Sequence, residues 1–125
     1  MQDCSDRLIQ QVLGAAIKVH KELGAGLLEI VYEKALMLEL DELGLMAEQQ
    51  KPIPVSYLGN DLGMGFRADI IVENRLVLEL KSVDKFCDIH IAQLMTYLKL
   101  LNVKRGFLLN FNSVKLMQGI KKVSI

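Results

Sequence analysis

The N-terminal part of the chain repeats apolar residues at spacings of three and four, the period of a helix that is buried on one face. This spacing predicts a first helix from Ser5 to Leu23, with Ser5 or Asp6 as its N-cap, that ends at Gly24-Ala25-Gly26. It predicts a second helix over about Leu27 to Leu43, because Gly44 suits the position just beyond a helix end. Two helices therefore open the fold.

Beyond Gly44 the apolar residues alternate with polar ones, which is typical of strands. The first of these strands contains the alternating residues Ile53, Val55 and Tyr57. A turn signal follows it, and two more alternating segments come next. These are the predicted strands Phe66–Val72 and Leu76–Lys81, joined at Glu73-Asn74-Arg75.

The C-terminal part returns to helical spacing and then to a short apolar run. A third helix is predicted over roughly Ile89 to Leu101, capped by Asp88 and closed by Asn102. The run Gly106–Phe111 fits a buried strand, parallel to a neighbour because a helix precedes it, and the tail predicts a last short strand. The result is an α/β fold in the order α-α-β-β-β-α-β, with a mixed central sheet flanked by helices.

Composition limits the size and surroundings of this fold. The 125 residues suffice for a single domain, 1–125, with a substantial core. Fifteen acidic residues balance fifteen basic ones, so no global field draws the chain to nucleic acid or to a membrane, and no apolar run reaches the ~20 residues of a membrane span. Cys4 and Cys87 are expected to be free thiols of a cytoplasmic protein. The 51% hydrophobic content favours burial of surplus surface in a homodimer.

Three polar side chains interrupt the apolar pattern of the second and third predicted strands. Alternation places Asp69 on the face opposite to the apolar residues Phe66, Ala68, Ile70 and Val72, and places Glu79 and Lys81 opposite to Leu76, Leu78 and Leu80. Two carboxylates and an amine thus converge on one patch of sheet, and this is the strongest chemical signal in the chain.

The length of the connection decides whether the two carboxylates meet. Directly paired residues of an antiparallel hairpin point to the same face, so Asp69 lies beside Glu79 only across an odd number of loop residues. A three-residue loop, Glu73-Asn74-Arg75, achieves this pairing. A two-residue loop would pair Asp69 with Leu78 and separate the carboxylates, so the site requires the three-residue loop or a bulge.

This arrangement suits hydrolysis of a phosphodiester with Mg²⁺ or Mn²⁺. Such a metal can activate water and neutralise charge on the phosphate, and it prefers oxygen ligands from one or two carboxylates. Asp69 and Glu79 would be those ligands, the carbonyl of Leu80 could complete the shell, and Lys81 would orient the water or stabilise negative charge.

Two helices can add side chains to this patch. On the third helix, His90, Gln93 and Tyr97 fall on one stripe, so Gln93 and Tyr97 can reach the mouth of the site. On the second helix, Glu29 and Tyr32 share a face by the same spacing.

Together these residues resemble a known nuclease superfamily. Asp69, Glu79-Leu80-Lys81 and Gln93-Leu94-Met95-Thr96-Tyr97 resemble the PD-(D/E)XK nucleases, in particular the RecB-type branch with its Gln-x-x-x-Tyr motif. The segment Gly26–Tyr32 resembles the signature of the small GxxExxY proteins of that superfamily. Ala68 departs from the pattern, since the superfamily name places Pro there.

The resemblance implies a restriction-endonuclease-like core and a divalent metal site. It implies metal ligation by Asp69, Glu79 and the Leu80 carbonyl, with Glu29 as the helix acid that joins the site. It further implies that Lys81 is catalytic and that Gln93 and Tyr97 support it, with nucleic acid, DNA more than RNA, as the substrate.

Structural alternatives exist for each of these residues. Asp69 and Glu79 could form ion pairs with Lys81 and Arg67, and Glu29 could simply favour the N-terminus of its helix. Tyr32 and Tyr97 could be packing residues. The neutral net charge favours a second function, a non-catalytic nuclease-fold module that binds nucleic acid or a protein partner.

Overall fold

A computed structural model describes residues 5–125 as three helices and one sheet of five strands. Helix α1 spans Asp6–Leu23 and helix α2 spans Glu29–Glu42. The remaining elements, in chain order, are β1 (Ala47–Tyr57), β2 (Asn60–Val72), β3 (Leu76–Lys81), α3 (Asp88–Leu101), β4 (Arg105–Asn110), a short 3₁₀ helix (Leu116–Gly119) and β5 (Ile120–Ser124).

The strands lie in the order β1-β2-β3-β4-β5, and their directions depend on how the chain connects them. Strands β1–β2 and β2–β3, joined by tight turns, pair antiparallel, and so do β4 and β5, which are joined through the 3₁₀ helix. Strand β4 pairs parallel with β3, because helix α3 carries the chain back across the sheet between them. The predicted element order, the parallel strand and the short last strand are all confirmed.

Apolar side chains fill a layer on each face of the sheet. Helices α1 and α2 pack on one face, where Val12 and Leu36 are fully buried against Leu78 of the central strand. Helix α3 packs on the other face through Leu94 and Leu98. In the part of the chain that the structure describes, no helix is long and apolar enough to cross a membrane.

Strands β1 and β2 are longer than their sequence predicts. They continue as a hairpin to a turn at Leu58 and Gly59, whose φ values of 51° and 75° are typical of a tight hairpin turn. We call residues 54–66 the hairpin arm. Side chains of the arm are mostly exposed, so backbone pairing rather than burial keeps it extended. The alternation through Val55 and Tyr57 and the turn signal after them predicted its first half, whereas residues 60–65 of β2 were not predicted as strand.

The start of α3 also differs from its prediction. Cys87 is the N-cap, with an extended backbone, and its N–H donates to Nδ1 of His90 at 3.1 Å. Asp88 is the first helical residue rather than the cap, a position at which the helix dipole favours an acid. The thiol of Cys87 is free and exposed, whereas Cys4 lies outside the described residues.

Candidate active site

The loop between β2 and β3 sets the register of the two strands that carry the acidic side chains. Val72 pairs with Leu76, so three residues, Glu73–Arg75, connect the strands. Glu73 and Asn74 have left-handed φ values of 54° and 53°. The N–H of Arg75 donates to the Val72 carbonyl at 2.9 Å and closes the turn. The predicted three-residue connection is confirmed, and this register places Asp69 opposite Glu79.

Regular backbone pairing between β2 and β3 ends at Ile70 and Leu78. Beyond this pair, the backbone N–H groups bond to side-chain carboxylates instead of carbonyls. The N–H of Leu80 donates to Oδ2 of Asp69 at 2.9 Å, and the N–H of Asp69 donates to Oε2 of Glu79 at 3.3 Å. Each carboxylate accepts a donor that a regular antiparallel pair would give to a carbonyl. We call the group of Asp69, Glu79 and Leu80 the carboxylate fork.

The alternation predicted for β2 is wrong on one side of Asp69. Ile70 and Val72 face helices α1 and α2, but Ala68 packs in the layer of α3. Phe66 lies on the α3 side as well, where its ring stacks on that of Tyr97 with centroids 4.0 Å apart. The side chains of β2 therefore change sides of the sheet at Asp69. The Asp69 carboxylate lies at a position where a regular strand would place an apolar side chain.

An irregularity in the neighbouring strand accompanies this change of face. Gln49 pairs with Ile70 and Lys51 pairs with Ala68, but Gln50, opposite Asp69, has no regular partner. The φ of Gln50 is 53°, a left-handed value that is uncommon for a residue other than glycine.

Burial dominates the electrostatics of the fork. Glu79 is 3% exposed, and its Oε1 atom has no hydrogen-bond partner among residues 5–125. Burial raises the pKa of the Glu79 carboxyl, and the neighbouring Asp69 raises it further. A proton on Glu79 can be shared with the Asp69 carboxylate, whereas the ionised side chain buries a charge without enough donors.

Lys81 lies near Glu79 without pairing to it. Its charge lowers the pKa of Glu79, but less than burial and Asp69 raise it. Within residues 5–125 the ion pairs are Lys18–Glu39 and Lys51–Glu48, so the alternative in which Lys81 and Arg67 neutralise the fork is not found. The ammonium group of Lys81 is therefore available to another partner.

The backbone of β3 directs the Leu80 carbonyl toward β2, the side on which the carboxylates of Asp69 and Glu79 lie. The Lys81 carbonyl accepts from Phe111 N–H at 2.8 Å and therefore faces β4. Successive residues of a strand turn their polar backbone groups to opposite neighbours, and the Leu80 N–H bonds to Asp69 on β2. The Leu80 carbonyl thus faces the same side as the two carboxylates.

Helix α3 contributes Tyr97 to the surroundings of the fork. Tyr97 is buried, and its pKa is raised by burial and by the negative charges of Glu79 and Asp69. Its hydroxyl therefore stays protonated and can donate a hydrogen bond but not act as a base. Gln93 lies one turn earlier on the same stripe, and its side chain is exposed.

Helix α2 brings Glu29 to the end of β3 and anchors Tyr32 in the core. Oε2 of Glu29 accepts the N–H of Ser82 at 2.9 Å, directly after the strand that carries Lys81. The Tyr32 hydroxyl donates to the Gly24 carbonyl at 2.6 Å, and its ring stacks on Phe111. Tyr32 therefore holds the loop before α2, which agrees with the packing alternative for this residue.

A comparison with known families agrees with this geometry. A sequence model of the PD-(D/E)XK nuclease superfamily matches residues 6–123, nearly the whole chain. The protein belongs to the PD-(D/E)XK nuclease superfamily. The matched range includes Asp69 and Glu79-Leu80-Lys81, the residues at which the sequence predicts the motif that names the superfamily, with Ala68 in place of Pro. No curated protein and no solved structure gave a match.

The residues of this PD-(D/E)XK site fit a divalent cation with few protein ligands. Among residues 5–125, no group of three or more His, Cys, Asp or Glu side chains is placed to hold a metal ion. The fork instead offers two carboxylates and a carbonyl, a donor set that suits Mg²⁺ or Mn²⁺ with water completing the shell. The buried, unpartnered Oε1 of Glu79 is an acceptor that such a cation would satisfy.

Three residues near this PD-(D/E)XK site were not predicted. Glu33 of α2 is buried, and burial raises its pKa, with Asp69 and Glu29 adding to the effect. Gln50 donates to both Glu33 and Asp69. Glu33 follows Glu29 by four residues, a spacing that places both acids on one helix face and could have revealed it.

The third residue that was missed is Asn110, at the end of β4. Its amide donates to the Val83 carbonyl at 2.8 Å, and its Oδ1 accepts the Val83 N–H at 3.1 Å. Asn110 thereby fixes the segment that leaves β3 just after Lys81. A polar residue at the end of a buried apolar strand was the available signal.

Proposed function

We propose that this protein is a divalent-metal-dependent nuclease that hydrolyses phosphodiester bonds of nucleic acid, with DNA preferred over RNA. Membership of a nuclease superfamily supports the reaction class. The observation that carries the proposal is the Oε1 atom of Glu79, a buried acceptor without a partner, next to the Asp69 carboxylate. Retaining two adjacent carboxylates in a buried site destabilises the fold unless a cation binds between them.

In this proposal Asp69, Glu79 and the Leu80 carbonyl hold Mg²⁺ or Mn²⁺ directly, and Glu29, whose carboxylate accepts the Ser82 N–H, joins the site from the start of α2 through a water bound to the metal. The bound metal supplies an activated water and neutralises phosphate charge. Lys81 donates from its ammonium group to the attacking water or to the phosphate oxygens as negative charge develops on them. Gln93 and Tyr97 donate hydrogen bonds that orient the phosphate at the mouth of the site.

Metal binding is the first test. In calorimetric titrations with Mn²⁺, we expect wild type to bind and Glu79→Gln to bind about 100-fold more weakly or not at all, because a neutral amide is a poor ligand. Glu48→Gln, an exposed acid on β1 that pairs with Lys51, is the matched control and should bind as wild type does.

Two results would count against the metal site. Equal Mn²⁺ affinity of wild type and Glu79→Gln would show that the metal binds elsewhere. No binding by wild type, either alone or with a short DNA duplex present, would reject metal-dependent catalysis. Cleavage of matched DNA and RNA substrates by the metal-loaded protein then tests the preference for DNA.

The balanced charge supports a second candidate, a module that binds nucleic acid or a protein without cleaving it. The chain carries fifteen acidic and fifteen basic residues, whereas binding along a phosphate backbone usually draws on a cluster of cations. Such a module would keep its partner when Asp69, Glu79 or Lys81 is replaced. A nuclease would lose metal binding with the first two changes and turnover with the third.

We further infer that the chain belongs with the small GxxExxY proteins and with the RecB-type branch of the superfamily. Gly26, Glu29 and Tyr32 support the first assignment, since Glu29 binds the segment that follows β3 and Tyr32 holds the loop before α2. Gln93 and Tyr97 support the second assignment through their shared stripe on α3.

We also propose that the protein forms a homodimer through the hairpin arm. Leu58, Leu62 and Met64 are 84%, 62% and 52% exposed, and Asp61 is the single charged residue of the arm. An apolar surface of this kind suits a second apolar surface better than a nucleic acid.

Sedimentation equilibrium tests the dimer. The double variant Leu58→Ser, Leu62→Ser should be monomeric at concentrations at which wild type is dimeric, because it removes apolar surface from the interface. Met117→Ser, a change at an equally exposed site of the 3₁₀ helix, should leave the dimer intact. A monomeric wild type, or a dimeric double variant, would reject this interface.

A further inference from the structure

The side-chain amide of Gln50 lies between two acidic residues from different elements. Its Nε2 donates to Oε1 of Glu33 on α2 at 2.8 Å and to Oδ1 of Asp69 on β2 at 3.4 Å. An amide nitrogen carries two hydrogens, so one group can serve both carboxylates. The bond to Glu33 is short, whereas the bond to Asp69 is at the long limit, so Glu33 anchors the amide.

Together with Leu80, Gln50 holds the Asp69 carboxylate from both neighbouring strands. Oδ2 accepts the N–H of Leu80 on β3 at 2.9 Å, while Oδ1 accepts the amide of Gln50 on β1. With both oxygens engaged by different strands, the carboxylate has a defined orientation. Without Gln50 the carboxylate would keep only its contacts with Leu80 and Glu79 on β3, and no group on β1 would fix the orientation of Oδ1.

Gln50 has an unfavourable left-handed backbone at the position from which its side chain contacts Asp69. Its φ of 53° falls in the left-handed region, in the middle of strand β1 and directly opposite Asp69. Glycine adopts this conformation without the steric cost that other residues meet. A glutamine therefore occupies a position where the backbone conformation favours glycine. Among the described residues, its side chain is the only one that donates hydrogen bonds to both Glu33 and Asp69.

We propose that Gln50 is a positioning residue of the metal site, which orients the Asp69 carboxylate for the cation and ties it to the buried Glu33. The inference rests on the proposed metal-dependent function. It assigns to β1 a part in a site whose direct ligands come from β2 and β3. Gln50 does not touch the metal in this scheme, because its amide acts through Asp69.

Gln50→Gly separates this role from a purely structural one. The change removes the bridging amide and at the same time relieves the left-handed backbone, so we expect a melting temperature close to that of wild type. Mn²⁺ affinity, measured by calorimetry, should fall about tenfold or more, as is typical when a group that orients a metal ligand is lost. A change that acted only on stability would move the melting temperature and leave Mn²⁺ affinity unchanged.

The neighbouring glutamine provides a matched control. Gln49 donates to the same Oε1 atom of Glu33 at 2.9 Å, but among residues 5–125 no hydrogen bond joins it to Asp69. Gln49→Ala should therefore retain Mn²⁺ affinity within about twofold of wild type, since it leaves the Asp69 carboxylate with both hydrogen bonds. In metal-free protein, Asp69→Asn should shift the side-chain amide resonances of Gln50 more than those of Gln49.

The outcomes distinguish this inference from the function on which it rests. Wild-type affinity in Gln50→Gly, or an equal loss in Gln49→Ala, would overturn the role of Gln50 while leaving the metal site in place. Failure of the wild type to bind Mn²⁺ would overturn both. Weaker binding in Gln50→Gly alone, with an unchanged melting temperature, is the expected result.

Discussion

Replacing Lys81 with methionine is expected to lower the turnover number on nucleic acid by about 100-fold or more while Mn²⁺ affinity stays within about twofold of wild type. The ammonium group of Lys81 forms no ion pair within residues 5–125, so it is free to stabilise charge that develops in the transition state. Methionine keeps the aliphatic stem and removes the charge, so packing along β3 is preserved.

Steady-state cleavage assays and Mn²⁺ calorimetry on the same preparations check this prediction. Lys122→Met, at an exposed position of the edge strand β5, controls for the loss of one positive charge. A rise in KM with an unchanged kcat would instead indicate that Lys81 only attracts the phosphate backbone. Loss of Mn²⁺ binding in Lys81→Met would place this lysine in the metal site rather than in catalysis.

Without metal, the free energy of unfolding is expected to fall as pH rises from about 5 to about 8, by about 1–3 kcal/mol. Burial raises the pKa of Glu79 above its ordinary value of 4.5, and Asp69 raises it further. In this pH range the unfolded chain has released the proton that the folded protein retains. The folded state therefore binds more protons, and its stability decreases with increasing pH.

Glu79→Gln should remove most of this pH dependence and should melt at a higher temperature than wild type at pH 8. The amide can donate to Asp69 as the protonated carboxyl does, and it carries no charge to bury. Chemical denaturation at several pH values measures the effect, with Glu48→Gln as an exposed control. A lower stability of metal-free Glu79→Gln at pH 8 would contradict this account of the fork.

Saturating Mn²⁺ should reverse the order of the two proteins. Wild type gains stability from the bound cation because the ion binds the folded state and replaces the proton on Glu79. Glu79→Gln gains little. Glu33, whose pKa is also raised by burial, adds to the metal-free trend in both proteins, so a small residual slope is expected in the variant.

Periodicity predicted most of the fold because it reports burial on one face. The three helices and the β2–β3 hairpin bury regular stripes, and their bounds follow within a few residues. Hydrophobic alternation did not detect the second half of the hairpin arm, residues 60–65, because backbone hydrogen bonds hold that segment while its side chains stay exposed. The pairing of Asp69 with Glu79 followed from the parity of the loop, a property that depends on chain length alone.

The parts of the site that could not be predicted depend on conformation rather than on pattern. Gln50 has a left-handed backbone, and glutamine gives no sign of a positive φ, whereas glycine or asparagine would. This conformation also accompanies the change of face at Asp69, which the alternation of β2 placed wrongly for Phe66 and Ala68. Sequence alone predicts Glu33 to be an ordinary solvent-exposed charge on a helix, but in the folded protein its side chain is buried.

The short connection between β2 and β3 also bears on how the chain folds. Asp69 and Glu79 are ten residues apart, so little entropy is lost when their strands meet, whereas pairing of β3 with β4 must wait for the crossover through α3. The pairing of β2 with β3, which is expected to form early, therefore brings the two negatively charged side chains of Asp69 and Glu79 together. A proton or a cation that relieves their repulsion is therefore expected to speed the assembly of the sheet as well as to raise its final stability.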